Sequence, residues 1–474
     1  MVGRKDERKK LLAAKESEYS EFVAIYGRRR VGKTFLVRET FGYSFTFQHS
    51  GVANGTLDEQ LHQFRAAVVE QGYEDCPRLS SWFDAFDALK HVISKSSDSK
   101  KTVFIDELPY MDVVGSRLVP ALEHFWNSWA SARKDVLLIV CGSATSWVLN
   151  NVVHSRGGLH GRVTERIRLL PFTLAECREY AVSLGLEMTN YQIAELYMVF
   201  GGIPYYWKYL DRSLSPAQNI DEIFFAGSDK LENEFRELYS SLFKRKEGYM
   251  RIVSALGTRK VGMVREEIAA AAKVSNSGTL TKYLQELEQC GFIRKYVLPG
   301  RKIKGAIYQL MDNFTLFHFK FIEGNIKHDR HFWTSSIDSP FHVAWEGLAF
   351  ERLCLWHVDQ IKRALQIGGV LTNSYAWRHV ADSPDDEGAQ IDLLIDRNDG
   401  IVNICEMKFC DGEYAVTAED AASMRRKKAV FKRETATRKA IHVTYVTTFG
   451  LKRNAYANDV QSEVTLDDLF RERP

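Results

Sequence analysis

The stretch Glu21–Thr34, EFVAIYGRRRVGKT, decides the reading of this chain. Phe22 to Tyr26 is an apolar run of the length of a short buried strand. Gly27-x-x-x-x-Gly32-Lys33-Thr34 follows, and FLVRETF continues from it as a helix. Glycines let backbone N–H groups turn inward around phosphate oxygens. The helix N-terminus adds the positive end of its dipole. Lys33 can reach the β- and γ-phosphates, and Thr34 can ligate Mg²⁺. Strand, loop and helix together are the context that the P-loop pattern requires.

Two more strands end in chemistry. In KTVFIDELPYM, Val103 to Ile105 are apolar and Asp106 and Glu107 close the run. Asp106 suits the holding of Mg²⁺ through water, and Glu107 suits the activation of an attacking water as a general base. DVLLIVCGSATSW ends in Gly142-Ser143, and a polar Ser143 there can sense a γ-phosphate. YSFTFQ at 43–48 and ERIRLLPF at 165–172 read as further strands. Strands alternating with helices predict an α/β fold with a parallel sheet covered on both faces.

The totals set bounds. A chain of 474 residues suggests about three domains. Its net charge of +3 names no partner, so any basic surface is local. The seven cysteines are scattered without a CxxC, which argues against a disulfide framework or a zinc site and fits a reducing cytosol. The charged start MVGRKDERKK has no signal-peptide core, and no apolar run approaches the ~20 residues of a membrane helix. The expectation is a cytoplasmic protein without a membrane partner.

VGRKDE, YGRRRVGKT, FIDELPYM, CGSATSW, LHGRVTERIRLLPF and GGIPYYWKYLD occur in that order from Val2 to Asp211. Together they resemble the archaeal-type ATPase family, a branch of the AAA-like P-loop ATPases. The resemblance implies ATP as the nucleotide and a strand inserted between those of the P-loop and Asp106. It implies glutamate-assisted hydrolysis through Glu107. It puts Arg162 of HGR at the family's Gly-Arg position, facing phosphate in cis or in trans; a structural salt bridge is the equal alternative. It also accounts for Arg28 to Arg30 within the loop, and places Arg30 with Gly27, Gly32, Lys33, Thr34, Asp106 and Ser143 around the nucleotide. Residues 173–243, with TLAECREYAVSLGL and NYQIAELYMVFGG at helical spacing, resemble the helical lid of these ATPases.

Residues 244–328 resemble a winged helix-turn-helix. REEIAAAAKV and NSGTLTKYLQELEQCGF give helices, and FIRKYVL and AIYQLMD give strands around the basic turn PGRKIKG. The second helix mixes Lys282, Gln285, Glu286, Glu288 and Gln289, whereas the wing offers Arg294, Lys295, Arg301, Lys302 and Lys304. Contact with DNA and packing against protein both remain open.

In residues 329–474, QIDLLIDRNDGIVNICEMKF reads as a hairpin. Asp392 opens the first strand; Glu406 and Lys408 stand two apart, on one face, near the end of the second. Two carboxylates and a carbonyl suit Mg²⁺ or Mn²⁺, which activates water and neutralises charge on a phosphate, with a lysine to orient or to neutralise. The pattern D…ExK after a glutamate-bearing helix resembles the PD-(D/E)xK nucleases, a C-terminal attachment (the DUF234 region) of archaeal-type ATPases. It matches Asp392, Glu406 and Lys408, with Glu351 as the helix glutamate and Glu346 as the weaker candidate. Ile391 replaces the proline of the family name. The alternative is a salt-bridged Glu406–Lys408 pair in an inactive fold. MRRKKAVFKRETATRK, 424–439, holds eight basic residues and one acid, either a phosphate grip or a solvated face. The expectation is an ATPase (1–172, lid 173–243) coupled through the winged helix to a nuclease-like α/β domain acting on nucleic acid, DNA first. A homo-oligomer or a protein partner is compatible with it. The alternative is a nucleotide-dependent switch.

Overall fold

The computed structural model describes residues 1–155, 157–227, 231, 234–243, 246–297, 305–323, 329–381 and 386–472. The wing residues Arg301, Lys302 and Lys304 lie outside the described residues, as does the expected boundary at 328. The chain divides into two compact units: Met1–Leu170 with Ser241–Lys244, and Pro171–Ser240 with Arg245–Pro474. Among the described residues, no helix is long and apolar enough to cross a membrane.

The first unit is built on five parallel strands, β1 (Glu21–Tyr26), β2 (Phe47–Ser50), β3 (Lys101–Asp106), β4 (Val136–Gly142) and β5 (Glu165–Arg168). Their order is β2-β3-β4-β1-β5, so β4 separates the P-loop strand from the Asp106 strand, as the resemblance implies. All of β4 and residues 22–25 of β1 are buried, the apolar continuity that a sheet covered on both faces requires. Phe64, Trp82 and Phe86 fill one face, with Phe64 edge-on to Trp82 at 5.6 Å.

Two expected strands are corrected. The strand expected at 43–48 begins at Phe47, because Gly42 and Tyr43 turn the chain through positive φ of 58° and 59°. The strand expected at 165–172 ends at Arg168, although the Leu169 N–H still bonds Tyr26 O at 2.8 Å. Pro171, without an N–H, cannot prolong the ladder.

The second unit opens with helices Leu174–Ser183 and Asn190–Phe200, each begun by a reciprocal cap, Thr173 with Glu176 and Thr189 with Gln192. Helices Lys246–Gly257, Arg265–Ala271 and Gly278–Gln289 follow, with the antiparallel strands β6 (Met263–Val264), β7 (Ile293–Tyr296) and β8 (Ile307–Leu310) in the order β6-β8-β7. Leu280, Leu284 and Leu287 are the buried face of the last of these helices.

A mixed sheet closes the unit: β9 (Thr372–His379), β10 (Ala389–Arg397), β11 (Ile401–Lys408), β12 (Ala440–Thr447) and β13 (Ser462–Thr465). Its order is β13-β12-β11-β10-β9; β9, β10 and β11 run antiparallel, and β11, β12 and β13 run parallel. Helix Ala418–Thr435 adds Met424, Val430 and Phe431 to a core with Ile391, Leu394, Val402 and Ile404. Val261 and Tyr296 of the winged helix belong to the same core. Helix Pro340–Trp356 packs on β11 and on helix Asn190–Phe200. The segment expected as a lid thus shares a compact unit with the C-terminal sheet.

Candidate functional site

In the first unit, register brings the expected residues to one end of the sheet. Tyr26 pairs with Gly142 and Ser50 with Asp106, so the P-loop, Asp106, Glu107 and Ser143 all follow carboxyl ends of strands. Open parallel sheets bind ligands there. Gly27 has φ +155°, and a Cβ there would lie 2.2 Å from Leu169 O, so only glycine fits. Arg30 (φ 72°) and Gly32 (φ 94°) turn the loop onto helix Lys33–Thr40.

Lys33 is buried, and its Nζ donates to Gly27 O at 2.9 Å and Arg28 O at 3.0 Å, within the concavity that phosphates would fill. Thr34 Oγ1 donates to Asp106 Oδ2 at 2.6 Å; a hydroxyl and a buried carboxylate so paired are the donor set that Mg²⁺ takes beside a nucleotide. Glu107 follows at φ 46°, and its Oε2 accepts from Ser143 N at 3.1 Å and Ser143 Oγ at 2.9 Å. Ser143 therefore holds the glutamate. Arg162 is exposed on a turn and makes no ion pair among the described residues.

In the second unit, Leu393 pairs with Cys405, and the next step of that register sets Asp392 opposite Glu406. Against β9 the register slips between Ile391 and Leu394, an irregularity that spans Asp392 and Leu393. Lys260, from the loop before β6, reaches the cluster: Nζ lies 2.5 Å from Glu351 Oε1 and 3.4 Å from Asp392 Oδ2. Asp392 Oδ1 also accepts from Gln390 Nε2 at 2.9 Å. Burial pushes the Glu351 carboxyl up to about 7, Asp392 adds to the rise, and Lys260 opposes it. Burial lowers the Lys260 ammonium, but Asp392, Glu351 and Glu406 outweigh it and hold its pKa above the ordinary value.

Glu406 is bound by two other lysines, Lys408 at 3.4 Å and Lys427 of helix Ala418–Thr435 at 2.6 Å. Burial works against the Lys408 charge, and Glu406, Tyr414 and Asp420 restore it, so its pKa rises. Glu351 Oε2 is buried with no hydrogen-bond partner among the described residues. An orphaned Glu351 oxygen beside Asp392 is a pair of hard carboxylate donors of the kind a divalent metal takes. Elsewhere in the unit His379, Asp386 and Glu434 bring three possible ligand atoms within 4.8 Å of one another. Both His379 ring nitrogens face carboxylates, at 2.5 and 3.5 Å, and Arg433 pairs with Asp386 as well.

Glu346 is turned away from this cluster. Burial pushes it up to about 7, and the charges of Glu195 and Asp411 add to that; burial also lifts Glu195 to about 7. A carboxyl with a raised folded pKa contributes stability that is present below its unfolded value and lost as pH rises through about 7. Glu346→Gln cannot ionise. It is expected to exceed the wild type in stability by about 1–2 kcal/mol at pH 8 and to lose that advantage at pH 5. Melting temperatures of both proteins at the two pH values check this; equal differences at both would refute it.

Sequence reading did not find Lys260, Arg352, Gln390 or Lys427. Lys427 was visible only as part of the basic run, and in that run Lys427, Arg433 and Lys439 pair with Glu406, Asp386 and Asp396. Arg426, Lys428, Lys432 and Arg438 make no ion pair among the described residues.

Comparison with known proteins places the first part of the chain. Residues 1–210 match the family described as an ATPase domain predominantly from Archaea. The uncharacterized protein MJECL04 of Methanocaldococcus jannaschii is 24% identical over 428 residues, 86% of this chain and 88% of that protein. Among solved structures, the Walker-type ATPase paby2304 of Pyrococcus abyssi is 15% identical, with a TM-score of 0.48 over 68% of this chain and 96% of that one. The ORC2 protein of Aeropyrum pernix, in ADPNP–ADP complexes, is 14% identical, with a TM-score of 0.43 over 67% and 92%. Residues 1–210 therefore carry an ATPase domain of the P-loop type found predominantly in archaea.

Proposed function

We propose that ATP binding and hydrolysis by the first unit govern a metal-dependent nuclease-like site in the second, acting on nucleic acid, DNA first. Thr34 and Asp106 would hold Mg²⁺ beside ATP, with Glu107 activating the attacking water. Glu351, Asp392 and Glu406 would hold Mg²⁺ or Mn²⁺. A metal there, when bound, activates water and neutralises charge on a phosphate. Lys408, on the same strand face as Glu406, would orient the phosphate group.

The observation that carries this reading is one ammonium, Lys260 Nζ, held by both Glu351 and Asp392, at 2.5 and 3.4 Å. Gathering two largely buried acids is costly unless a cation belongs between them. Arg426, Lys428, Lys432 and Arg438 support a phosphate-backbone contact. The exposed Arg162 suits a nucleotide on a neighbouring copy, which would make the active form a homo-oligomer.

A second reading has its own support. Lys260, Lys408 and Lys427 already serve the three carboxylates, as in a structural ion cluster. The chain would then be a nucleotide-dependent switch that grips nucleic acid or a protein without cutting. Labelled DNA and RNA, with Mg²⁺ or Mn²⁺ and with or without ATP, separate the two. Cleavage by the wild type, at least about 100-fold slower in Asp392→Ala with ATP turnover intact, is the expected result. No cleavage of any substrate beside normal ATP turnover would favour the switch.

A further inference from the structure

We propose that Lys260 is a tethered cation standing between Glu351 and Asp392 in the position of a divalent metal, so that metal enters only by displacing it. This rests on reading the Glu351, Asp392 and Glu406 region as a metal site.

The lysine comes from outside the fold that carries the acids. Its loop joins helix Lys246–Gly257 to β6 of the winged helix, whereas Glu351 lies on helix Pro340–Trp356 and Asp392 and Glu406 on the C-terminal sheet. Three features fix the backbone that delivers it. Lys260 O accepts from Gln309 Nε2 at 2.8 Å and from Arg352 Nη2 at 2.5 Å. Gln309 and Arg352 are both fully buried, and Arg352 is the neighbour of Glu351 on its helix. Val261 is sealed in the core shared with β10 and β11. Gly262, at φ +92°, has Tyr308 O only 2.2 Å from where a Cβ would be, so no side chain could relax the loop there.

The side chain beyond this anchor is free to leave, since 49% of it is exposed. An ammonium 2.5 Å from Glu351 Oε1 and 3.4 Å from Asp392 Oδ2 cannot share the space with a metal bound to both oxygens. Such a metal sits about 2.0–2.2 Å from each oxygen, within a few ångströms of the ammonium and of like sign. Glu351 Oε2, unpartnered, is the acceptor that Lys260 leaves unused and an incoming ion could take. The competition needs no rearrangement of the shared core, only a change of lysine rotamer. It sets the metal concentration at which the site loads, and it puts that setting in the winged helix.

The test is a Mn²⁺ titration of the nucleotide-free, full-length chain, with free Mn²⁺ read by electron paramagnetic resonance. Wild type, Lys260→Ala, Lys260→Met and Asp392→Asn are compared; Lys260→Met keeps the apolar stem should the alanine variant disturb folding. If the ammonium leaves the site open a tenth of the time or less, both Lys260 variants bind Mn²⁺ at least about tenfold more tightly than wild type. Adding Asp392→Asn to either should remove that gain. Equal Asp392-dependent affinity with and without Lys260, or weaker affinity without it, overturns the tethered cation and leaves the metal site standing. No Asp392-dependent Mn²⁺ binding in any variant overturns both.

Discussion

Glu107→Gln is expected to bind ATP as the wild type does and to hydrolyse it about 10²–10³-fold more slowly. The backbone makes this substitution a clean one. Asp106 is the last residue of β3 and is tied to Thr34, so the side that would hold Mg²⁺ does not depend on Glu107. Glu107 then leaves the strand at φ 46° and is caught by the amide and the hydroxyl of Ser143. Glutamine keeps an oxygen for those two donors and loses only the capacity to take a proton from water. Lys33→Ala differs in kind. Its Nζ lies inside the loop, on Gly27 O and Arg28 O, where phosphate oxygens would be bound, and its loss should abolish binding together with turnover. Phosphate release and the affinity for a fluorescent ATP analogue, measured on both variants, distinguish the two defects. Turnover by Glu107→Gln at the wild-type rate would remove Glu107 from the chemistry; normal hydrolysis by Lys33→Ala would remove the P-loop assignment.

The parts of these sites that could be read in the sequence are those whose geometry is local. Strand, loop and helix at 21–40 are contiguous, and each glycine has a conformational reason to be there. Asp392 and Glu406 could be paired because a short turn joins their strands, and the pairing of Leu393 with Cys405 agrees with that register. The register slip between Ile391 and Leu394 could not be read, because it is a mismatch with β9, which reaches β10 through a longer connection that fixes no register. Lys260 could not be read because 91 or more residues separate it from the acids it meets, and no periodicity carries that contact. The strand expected at 43–48 is shorter than its sequence suggests: Phe45 packs against Phe41 and Phe104, but from the irregular segment between the turn at 41–43 and β2. The lid helices show another limit. An apolar stripe says that a helix must be covered, not by what; here Tyr191 stacks on Phe409 and Asn313 bonds Tyr197 O.

Another of those unforeseen ties, through His357, is expected to mark the acid stability of the second unit. His357 is fully buried; its Nδ1 lies 2.7 Å from Leu353 O, and its Nε2 lies 3.0 Å from the Leu174 N–H, 183 residues away. Only the neutral tautomer with its proton on Nδ1 satisfies both. One imidazole thereby closes a carbonyl at the C-terminal end of helix Pro340–Trp356 and an amide in the first turn of helix Leu174–Ser183. A charged ring would lose the Leu174 contact and face the positive end of that helix. Burial accordingly lowers the His357 pKa from 6.5 to about 4. Because the folded value is depressed, its contribution is complete above the unfolded value of 6.5 and is lost as pH falls toward 4. Glu195 and Glu346 titrate in the opposite sense over nearly the same range, so the wild-type profile alone would conceal both effects. His357→Phe keeps the ring and its contact with Tyr197 but orphans two buried backbone groups, at a cost of about 2–4 kcal/mol near pH 7. Since phenylalanine does not titrate, the gap between the proteins should narrow steadily from pH 6.5 to pH 4. Hydrogen exchange at residues 174–183 and 346–357, followed in both proteins across that range, reads the gap where it arises. A constant gap would mean that His357 is accessible to protons in the folded chain and that the two helices are held together by packing alone.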